Sequence, residues 1–381
     1  MLPKVLITNF HPYVGGGHDT FINSLASNVL KNSYAYAFAL AVPETSHLFE
    51  IARESNMTVF PCDFTSNIKE IAEIISSTKR FSDICKEYKP SIVHTNGGAD
   101  NNIMAWSLLF QRKHFSILRT HHAVREMATD PYHQWLYRRV VDRNVYVSKT
   151  SKDISQSGKG FKIPNSTVIE NGVDADVFKP QEPDVTVKRE WEIPDDHFVF
   201  GSCAGTSGYK RIDVMFEAAR VLKDSYKFKI VILGQEADRG HILNSAISMG
   251  LRDIVIYGGF HKDIRKYCSI FDVGFILSDS IETISYASRE MLAMGIPLIS
   301  SSYSGLKENI DDGINGFLVR PGNADDVKNR MKDFMQMKRD QLVGFKKSAR
   351  LKAVNFFSIK KQMDGFDHVY KELLNAKKPL S

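Results

Sequence analysis

Residues 273–301 read VGFILSDSIETISYASREMLAMGIPLISS. The apolar run at 273–277 is followed by a polar loop, and apolar residues then recur at helical spacing as far as Gly295. A second apolar run begins at Pro297. A strand, a helix that stops at glycine and another strand form a βαβ unit, which sets two parallel strands in one sheet. The stretch therefore predicts an α/β fold.

The same alternation of apolar runs and helical periodicity continues along all 381 residues. Strands are predicted in the first half over 4–9, 35–42, 91–95, 116–120, 144–148 and 168–171. In the second half they are predicted over 198–204, 229–234, 254–257, 273–277, 297–301 and 316–319. Two sets of six strands predict two doubly wound domains. Pro180, Pro183 and Pro194 lie among charged residues between the sets and indicate an exposed linker.

Residues 358–374 are predicted to form a final amphipathic helix. Its apolar positions are Met363, Phe366, Val369, Tyr370 and Leu373. The helix is long enough to pack back across the cleft between the two domains. We therefore divide the chain into one domain of residues 1–178 with 360–381 and a second of residues 179–359.

The composition excludes several classes of protein. Hydrophobic residues make up 43% and charged residues 25%, which is typical of a globular protein and not of a disordered or collagen-like one. No apolar run approaches the roughly 18 residues of a membrane span, and the N-terminal residues do not resemble a secretory signal. We expect a cytoplasmic protein. Its four cysteines have no CxxC spacing and are expected to be buried, reduced thiols at positions 62, 85, 203 and 268.

The charge is distributed unevenly. The net charge of +6 does not indicate nucleic-acid binding, but residues 119–162 carry nine basic and four acidic side chains. Within them, residues 132–143 mix aromatic or apolar residues with arginines: Tyr132, Trp135, Leu136, Tyr137, Arg138, Arg139 and Arg143. This mixture predicts contact with an anionic membrane, at its inner face. The alternative is that the aromatic rings lie in the core and the arginines are merely solvated.

A glycine-rich loop, HPYVGGGHD at residues 11–19, follows the first predicted strand. Gly15, Gly16 and Gly17 at a helix N-terminus would let a phosphate approach backbone N–H groups. The spacing fits neither GxGxxG nor GxxxxGK[ST], so a dinucleotide fold and a P-loop ATPase are disfavoured. A purely structural glycine turn remains the alternative.

Two carboxylates make the loop and helix after residue 277 a candidate site. Glu282 lies in the predicted loop and Glu290 in the helix, where both can accept hydrogen bonds from sugar hydroxyls. The first-turn amides of residues 285–287 can bind a diphosphate. The alternative is a capped surface helix with two solvated glutamates.

Seven residues separate Glu282 from Glu290, as in the EX7E motif, and on this and further motifs the chain resembles the retaining glycosyltransferases of family 4, which have the GT-B fold. The segment 170–180 resembles the family's NGVD…F…P stretch, and 145–148 resembles its strand ending in serine. Residues 16–26 resemble its GGxE…LA loop, with Asp19 in place of glutamate, and 312–319 resemble its DGxNGxLV turn. The ordered motifs cover nearly the whole chain.

The resemblance implies two Rossmann-like domains that face each other across a cleft. The first, residues 1–178 with 360–381, would bind the acceptor, and the second, residues 179–359, the nucleotide sugar. The implied reaction is the retaining transfer of a hexose from a nucleoside-diphosphate sugar, most commonly UDP-linked, to a bacterial surface glycan or lipid-linked acceptor. Neither a metal nor a cofactor is expected.

The resemblance also implies roles for single residues. Lys210 falls where a lysine neutralises the diphosphate, and His122 where a histidine contacts the sugar near the reacting carbon, with His121 as its rival. The implied catalytic residues are His122, Lys210 and Glu282. The implied donor-binding residues are Gly16, Gly17, Lys210, Arg211, Gly258, Phe260, His261, Glu282, Thr283, Ile284, Ser285, Tyr286 and Glu290. The implied acceptor-binding residues are His121 and Asn96.

Two departures from the family pattern leave other functions open. Thr206 occupies the turn where the family usually has an arginine, and Thr283, Ile284 and Ser285 replace Gly-Phe-Gly. Some bacterial members that build lipopolysaccharide resemble this Glu-Thr form. A catalytically silent GT-B subunit that binds sugar or lipid and supports a partner is the alternative from another class. A rival enzyme of the same fold is a non-hydrolysing sugar epimerase, whereas a phosphorylase ranks low because it would need a far longer chain.

Overall fold

The computed structural model describes residues 2–13, 16–32, 35–65, 67, 69–157 and 162–376, and only the backbone of 28–32. Two compact units divide the chain, one of residues 1–170 with 360–381 and one of residues 171–359. The sequence-based boundary stood at 178, eight residues later. The segment after residue 170 belongs to the second unit because Val173 bridges to Ser358 and the carbonyl of Asn171 accepts a hydrogen bond from Arg289.

The first unit is a parallel seven-stranded sheet with helices. Its strands are β1 (Lys4–Thr8), β2 (Ala37–Val42), β3 (Thr58–Pro61), β4 (Ile92–Thr95), β5 (Ser116–His121), β6 (Arg143–Tyr146) and β7 (Ser166–Val168). Its helices are α1 (Gly17–Asn32), α2 (His47–Glu54), α3 (Ile71–Tyr88), α4 (Gly98–Ser107), α5 (Pro131–Trp135), a π-helix (Leu136–Val140) and α6 (Lys149–Ser155). The strand order is β3-β2-β1-β4-β5-β6-β7. The sequence did not predict β3, a half-buried edge strand of four residues that ends in proline.

The second unit is a parallel six-stranded sheet in the order β10-β9-β8-β11-β12-β13. The strands are β8 (Phe198–Ser202), β9 (Phe228–Leu233), β10 (Val255–Gly259), β11 (Val273–Ile276), β12 (Leu298–Ser301) and β13 (Gly316–Val319). The helices are α7 (Val185–Glu190), α8 (Ile212–Leu222), α9 (Arg239–Ser248), α10 (Arg265–Cys268), α11 (Tyr286–Ala293), α12 (Leu306–Asn309), α13 (Ala324–Met335) and α14 (Arg339–Phe356). Two 3-10 turns span Gly208–Lys210 and Glu236–Asp238. The prediction of two doubly wound parallel sheets is confirmed.

Both faces of the second sheet are covered, as its continuous apolar strands require. Ile230 and Ile232 of β9 belong to one apolar cluster, and the alternating Val231 and Leu233 belong to another. Successive side chains of a strand point to opposite faces. The two clusters therefore lie on the two sides of the sheet, and the loops at the strand ends remain available for a site.

The final helix, α15 (Ile359–Asn375), is observed as predicted and belongs to the first unit from residue 360 onward. Its apolar face is buried, and the Tyr370 hydroxyl lies 2.9 Å from Nδ1 of His94 on β4. The predicted apolar positions of this helix are confirmed as core residues.

The segment of residues 132–143, which the sequence predicts to meet an anionic membrane, is only partly at the surface. Leu136 and Tyr137 are buried in the core, and Arg143 donates a 2.7 Å hydrogen bond to Glu372. Trp135 remains 45% exposed. Leu136 and Tyr137 are therefore core residues of a π-helix, and membrane contact by the other side chains stays a prediction.

The four cysteines are free thiols, and Cys62, Cys85 and Cys268 are buried. Cys203 is only half-buried because it lies just beyond the end of β8, so the expected burial was wrong for this residue. Across the described ranges, no helix is long and apolar enough to cross a membrane.

Candidate functional site

An ion pair lies at the centre of the second unit's polar loops. Lys210 ends the turn after β8 and Glu282 lies in the loop after β11. Chain connections leave these two neighbouring strands in opposite directions, and open α/β sheets bind ligands at such a switch point. The Lys210 ammonium contacts the Glu282 carboxylate, and the side chains are 11% and 12% exposed. Ser278 Oγ donates to the same carboxylate oxygen over 3.2 Å.

The backbone just before Glu282 is strained. Ile281 has φ of +62°, and its side chain is 76% exposed. The Glu282 N–H donates to the Ser280 carbonyl over 2.7 Å, which closes a three-residue turn around Ile281. Such a conformation costs about 1–3 kcal/mol for a residue other than glycine and is found mostly at functional sites. This strained turn immediately precedes the carboxylate that contacts Lys210.

Thr206 lies in the turn after β8 where the family pattern has an arginine, and Arg211 directly follows Lys210. The Arg211 guanidinium lies 2.9 Å from an Asp213 oxygen and 2.5 Å from an Asp279 oxygen. Hydrogen bonds to these two carboxylates raise the pKa of Arg211. The Thr206 hydroxyl donates to Asp238 over 2.5 Å. Arg211 is thus held by two carboxylates, and Thr206 brings an acidic residue to its loop.

The loop before α11 supplies the predicted first-turn amides. Ser285 has φ of +52° and caps the helix by accepting a 3.4 Å hydrogen bond from the N–H of Ser288. Thr283 is half-buried and Ile284 is buried ahead of it. The Tyr286 hydroxyl is buried, and no described residue gives it a hydrogen bond. The carboxyl edge of the sheet therefore presents the Tyr286 hydroxyl beside the first-turn amides of α11.

Glu290 lies in the second turn of α11 and is partly buried. Burial raises the pKa of Glu290 from 4.5 to about 7, because a carboxylate loses hydration there. Near neutral pH this group exchanges between its charged and neutral forms.

Arg289, which the sequence interpretation overlooked, anchors α11. It is fully buried; Nε donates to Asn309 Oδ1 over 3.1 Å and Nη1 to the Asn171 carbonyl over 2.5 Å. Its guanidinium lies 3.9 Å from the centre of the Phe357 ring. The sequence contained one sign of this burial: Arg289 is a charged residue on the face of the helix that the apolar spacing predicts to be buried. This anchor fixes the rotation of the helix that carries Glu290.

The end of β10 and the loop after it contain the predicted residues Gly258, Phe260 and His261. His261 Nε2 lies 2.8 Å from the Gly258 carbonyl, and its ring stacks on Tyr267 at 3.6 Å. Phe260 is 62% exposed. A Cβ at Gly258 would lie 2.7 Å from the Trp191 ring, so the close packing excludes a side chain there. The loop holds its backbone rigidly and presents an aromatic ring to a ligand.

In the first unit, the glycine loop leads into α1. Gly16 has φ of +55° and Gly17 begins the helix; both are exposed, and Gly15 lies outside the described residues. Asp19 is buried and accepts a 3.0 Å hydrogen bond from the Asn9 side chain. Asp19 thus ties the helix to the end of β1.

His122 and Asn96 meet at the carboxyl ends of β5 and β4. His122 Nε2 lies 3.1 Å from Asn96 Oδ1, and the ring lies 4.3 Å from that of His18. Burial, and then the neighbouring His18 and Arg119, lower the pKa of His122 well below its usual value. Burial lowers the pKa of His18 to about 3. These imidazoles are neutral at pH 7, and the contact between His18 and His122 was not predicted from the sequence.

His121 lies away from this pair. Its Nε2 is 2.9 Å from Asn144 Oδ1, its ring stacks on Tyr146 at 4.5 Å, and it is buried. Adjacent residues of a strand point to opposite faces. The structure therefore brings His122, and not His121, together with Asn96.

No group of three or more His, Cys, Asp or Glu side chains within the described ranges is arranged to hold a metal ion. The sheet edge of the second unit instead presents a lysine, carboxylates and helix amides, which are suited to binding a phosphate and hydroxyl groups. The sheet edge of the first unit presents neutral imidazoles.

Comparison with known proteins agrees with these features. Residues 15–177 match the model for Glycosyltransferase Family 4, and residues 185–352 match that for Glycosyl transferases group 1. The O-antigen biosynthesis glycosyltransferase WclY of Escherichia coli is 23% identical over 304 residues, which span 73% of this chain and 79% of that protein.

Solved structures show the same fold. A glycosyltransferase from Rickettsia africae superposes with a TM-score of 0.86 at 20% identity, covering 98% of this chain and 99% of that one. Anabaena Alr3699/HepE in complex with UDP-glucose gives 0.80 at 16% identity, covering 97% and 100%. The two matched families, the two Rossmann-like halves and the EX7E pair show that the chain belongs to the family-4-like glycosyltransferases of the GT-B fold.

Proposed function

We propose that this glycosyltransferase moves a hexose from a UDP-sugar to a bacterial surface glycan or lipid-linked acceptor and retains the anomeric configuration. The observation that carries the proposal is the Lys210–Glu282 ion pair at the switch point of the second sheet, followed by Glu290 on α11. WclY is named for O-antigen biosynthesis, and HepE binds UDP-glucose. Both names support the choice of donor and acceptor classes.

The nucleotide-sugar donor would bind to charged groups of the second unit. As the bond between the sugar and the diphosphate breaks, negative charge grows on the leaving phosphate, and Lys210 is the cation that meets it. The first-turn amides of α11 add partial positive charge. Glu282 and Glu290 accept hydrogen bonds from donor hydroxyls, and the loop at Phe260 borders the base.

Retention would proceed without a protein nucleophile. In retaining glycosidases a carboxylate attacks the sugar, whereas Glu282 is engaged by Lys210 and Ser278. The C1–O bond to the diphosphate breaks, the acceptor oxygen bonds C1 on the same face, and the acceptor's proton passes to a phosphate oxygen. Every group in this scheme comes from the two substrates, so a resident metal is not required.

The catalytically silent subunit remains the rival, and one contact favours it. Thr206 donates to Asp238 where the family usually supplies an arginine, so the phosphate site has an additional carboxylate nearby. Lys210, Glu282, Glu290 and His122 nevertheless retain the catalytic set, which supports an enzyme.

A screen of donors distinguishes the active glycosyltransferase from the catalytically silent subunit. Purified protein would be offered UDP-, GDP- and TDP-sugars with lipid-linked glycan acceptors, and release of nucleoside diphosphate would be measured beside Glu290→Gln. We expect turnover with a UDP-hexose and an NMR coupling constant that shows retained configuration. Donor binding without turnover would favour the silent subunit, and an inverted product would refute the retaining mechanism.

We also propose peripheral membrane contact through the residues of 132–143 that stay at the surface. Trp135, Arg138 and Arg139 are exposed together after Leu136 and Tyr137 turn inward. An indole at headgroup depth with two cations beside it fits an anionic leaflet.

A further inference from the structure

The end of β4 holds an asparagine whose orientation can be worked out from its partners. Asn96 is almost completely buried. Its Nδ2 donates to the Thr8 carbonyl over 3.0 Å and lies 3.4 Å from the His94 carbonyl. Backbone carbonyls only accept hydrogen bonds, so the amide nitrogen must face them. The opposite side of the amide, Oδ1, consequently faces His122.

The orientation of Asn96 determines where His122 carries its proton. Asn96 Oδ1 only accepts, and it lies 3.1 Å from His122 Nε2, so Nε2 must donate. A neutral imidazole has one donor and one acceptor nitrogen. His122 therefore has its proton on Nε2, and Nδ1 acts as an acceptor. A group that meets Nδ1 must donate, as a hydroxyl does and a phosphate oxygen does not.

Asp100, fully buried on α4, holds Asn96 in place. Its carboxylate accepts the N–H of Asn96 at 2.8 Å, the N–H of Gly97 at 2.6 Å and the hydroxyl of Thr8 at 2.5 Å. Arg119 supplies the counter-charge at 3.8 Å. The loop after β4 is thus fixed at its backbone as well as at its side chain.

We propose that Asn96 is a positioning residue that fixes the neutral His122 imidazole with its proton on Nε2. This assigns Asn96 to His122 and not to direct acceptor binding. The surroundings of His122 agree with a neutral ring: burial and the charge of Arg119 on β5 disfavour a cation, and His18 from α1, His94 from β4 and His121 from β5 would repel it if they were protonated. The effect on transfer rests on the proposed function, whereas the tautomer does not.

The fold provides a matched control one residue away. His121 Nε2 faces Asn144 Oδ1 at 2.9 Å, and Asn144 Nδ2 faces the Pro164 carbonyl at 3.4 Å. This pair has the same chemistry but lies in the core. Asn144→Ala therefore removes an equivalent hydrogen bond without touching His122.

The test uses the full chain labelled with ¹⁵N at its 12 histidines. Long-range ¹H–¹⁵N spectra distinguish the two tautomers and the cation, and His122→Asn assigns the signals. We expect the Nε2–H pattern for His122, unchanged from pH 8 to pH 6. An Nδ1–H pattern, or a cationic ring at pH 7, would overturn the proposal.

Two variants complete the test of the positioning role. Asn96→Ala should abolish the hydrogen-bonded Nε2–H proton signal of His122 and lower kcat about tenfold to a hundredfold with little change in KM. Asn144→Ala should alter only the His121 signals and leave kcat within about threefold of the wild type. Equal effects of the two variants on kcat, or an unchanged His122 signal in Asn96→Ala, would refute the positioning role. If the spectra are as expected but no donor is turned over, the proposed function fails and the tautomer assignment stands.

Discussion

The Lys210 ammonium and the Glu282 carboxylate neutralise each other at the switch point of the second sheet, where both side chains are nearly buried. A diphosphate that reaches this place must share Lys210 with Glu282. Binding of the diphosphate therefore weakens the contact between Lys210 and Glu282. The Glu282 carboxylate then becomes a stronger hydrogen-bond acceptor for sugar hydroxyls.

Lys210→Met is expected to lower kcat about a hundredfold to a thousandfold, because it removes a cation from charge that develops in the transition state. KM for the donor should change much less. Steady-state kinetics at saturating acceptor would measure both. Lys227→Met, at an exposed lysine paired with Asp196, is the matched control and should leave kcat unchanged. A rise in KM alone for Lys210→Met would contradict the role.

Glu290 predicts how donor affinity varies with pH. Burial raises the pKa of this carboxyl to about 7, so it is mostly protonated at pH 6 and mostly charged at pH 8. If the charged form binds the donor hydroxyls, affinity should increase as pH rises through about 7. Calorimetry at several pH values would show this dependence, and Glu290→Gln should lose it. Glu217→Gln, at an exposed glutamate on α8, serves as the control.

The same carboxyl affects the free energy of unfolding. Because its pKa is raised in the folded state, the folded protein binds more protons than the unfolded chain between about pH 4.5 and 7, and stability is lost as pH rises through this window. Glu290→Gln should therefore stabilise the protein at pH 8 by about 1–3 kcal/mol, at about 1.4 kcal/mol per pKa unit. Urea unfolding at pH 8 and pH 5 would test it; a gain of equal size at both values would exclude this cause.

Arg289 should be essential for stability. Arg289→Met removes the hydrogen bonds to Asn309 and Asn171 and leaves their oxygens buried, which we expect to cost about 2–4 kcal/mol. Urea denaturation would measure the loss. Arg330→Met, at a partly exposed arginine that also lies over an aromatic ring, is the control. Similar small losses in both variants would mean that the buried contacts contribute little.

Membrane contact can be tested by flotation. Removing Arg138 and Arg139 together should weaken binding to anionic liposomes about tenfold to thirtyfold, at about 1 kcal/mol per basic residue. The effect should shrink at high salt, which shortens the screening length. Arg320 and Arg330, both in the second unit, are the matched pair for control. Equal flotation of the wild type on anionic and neutral liposomes would exclude the contact.

Metal removal should leave the enzyme active. The described residues contain no cluster suited to a divalent ion, and the proposed chemistry uses Lys210 and helix amides at the diphosphate. Full activity is expected after dialysis against EDTA, measured as diphosphate release. Loss of activity that one divalent ion restores would require a different mechanism.

The sequence predicted those parts of the fold that short-range patterns encode. The apolar runs and the Gly295 stop were enough for parallel sheets, and the EX7E spacing located Glu282 and Glu290 on one loop and helix. It could not show that Arg289 is buried, since the partners that make this possible, Asn171 and Asn309, are far away in the chain. Nor could it separate His121 from His122, because that choice depends on which face of β5 each ring occupies.

The burial of Leu136 and Tyr137 illustrates a second limit. A helix that faces lipid and a helix that covers a sheet can have the same mixture of aromatic residues and arginines. The outcome was decided by a π-helical turn and by the pairing of Arg143 with Glu372, 229 positions later. Neither the π-helical turn nor the pairing of Arg143 with Glu372 can be inferred from composition alone.

The position of α15 has a consequence for how the protein is made. Its buried face, with Tyr370 against His94, completes the core of a unit whose remaining residues are all translated before residue 171. The second unit is continuous in sequence, so it can close as soon as it leaves the ribosome. The first unit, although synthesised earlier, is expected to keep part of its apolar interior uncovered until α15 is made. Nascent chains halted before residue 360 should therefore bind holdase chaperones through their N-terminal half. The second unit should complete its core before the first unit does, although it is synthesised later.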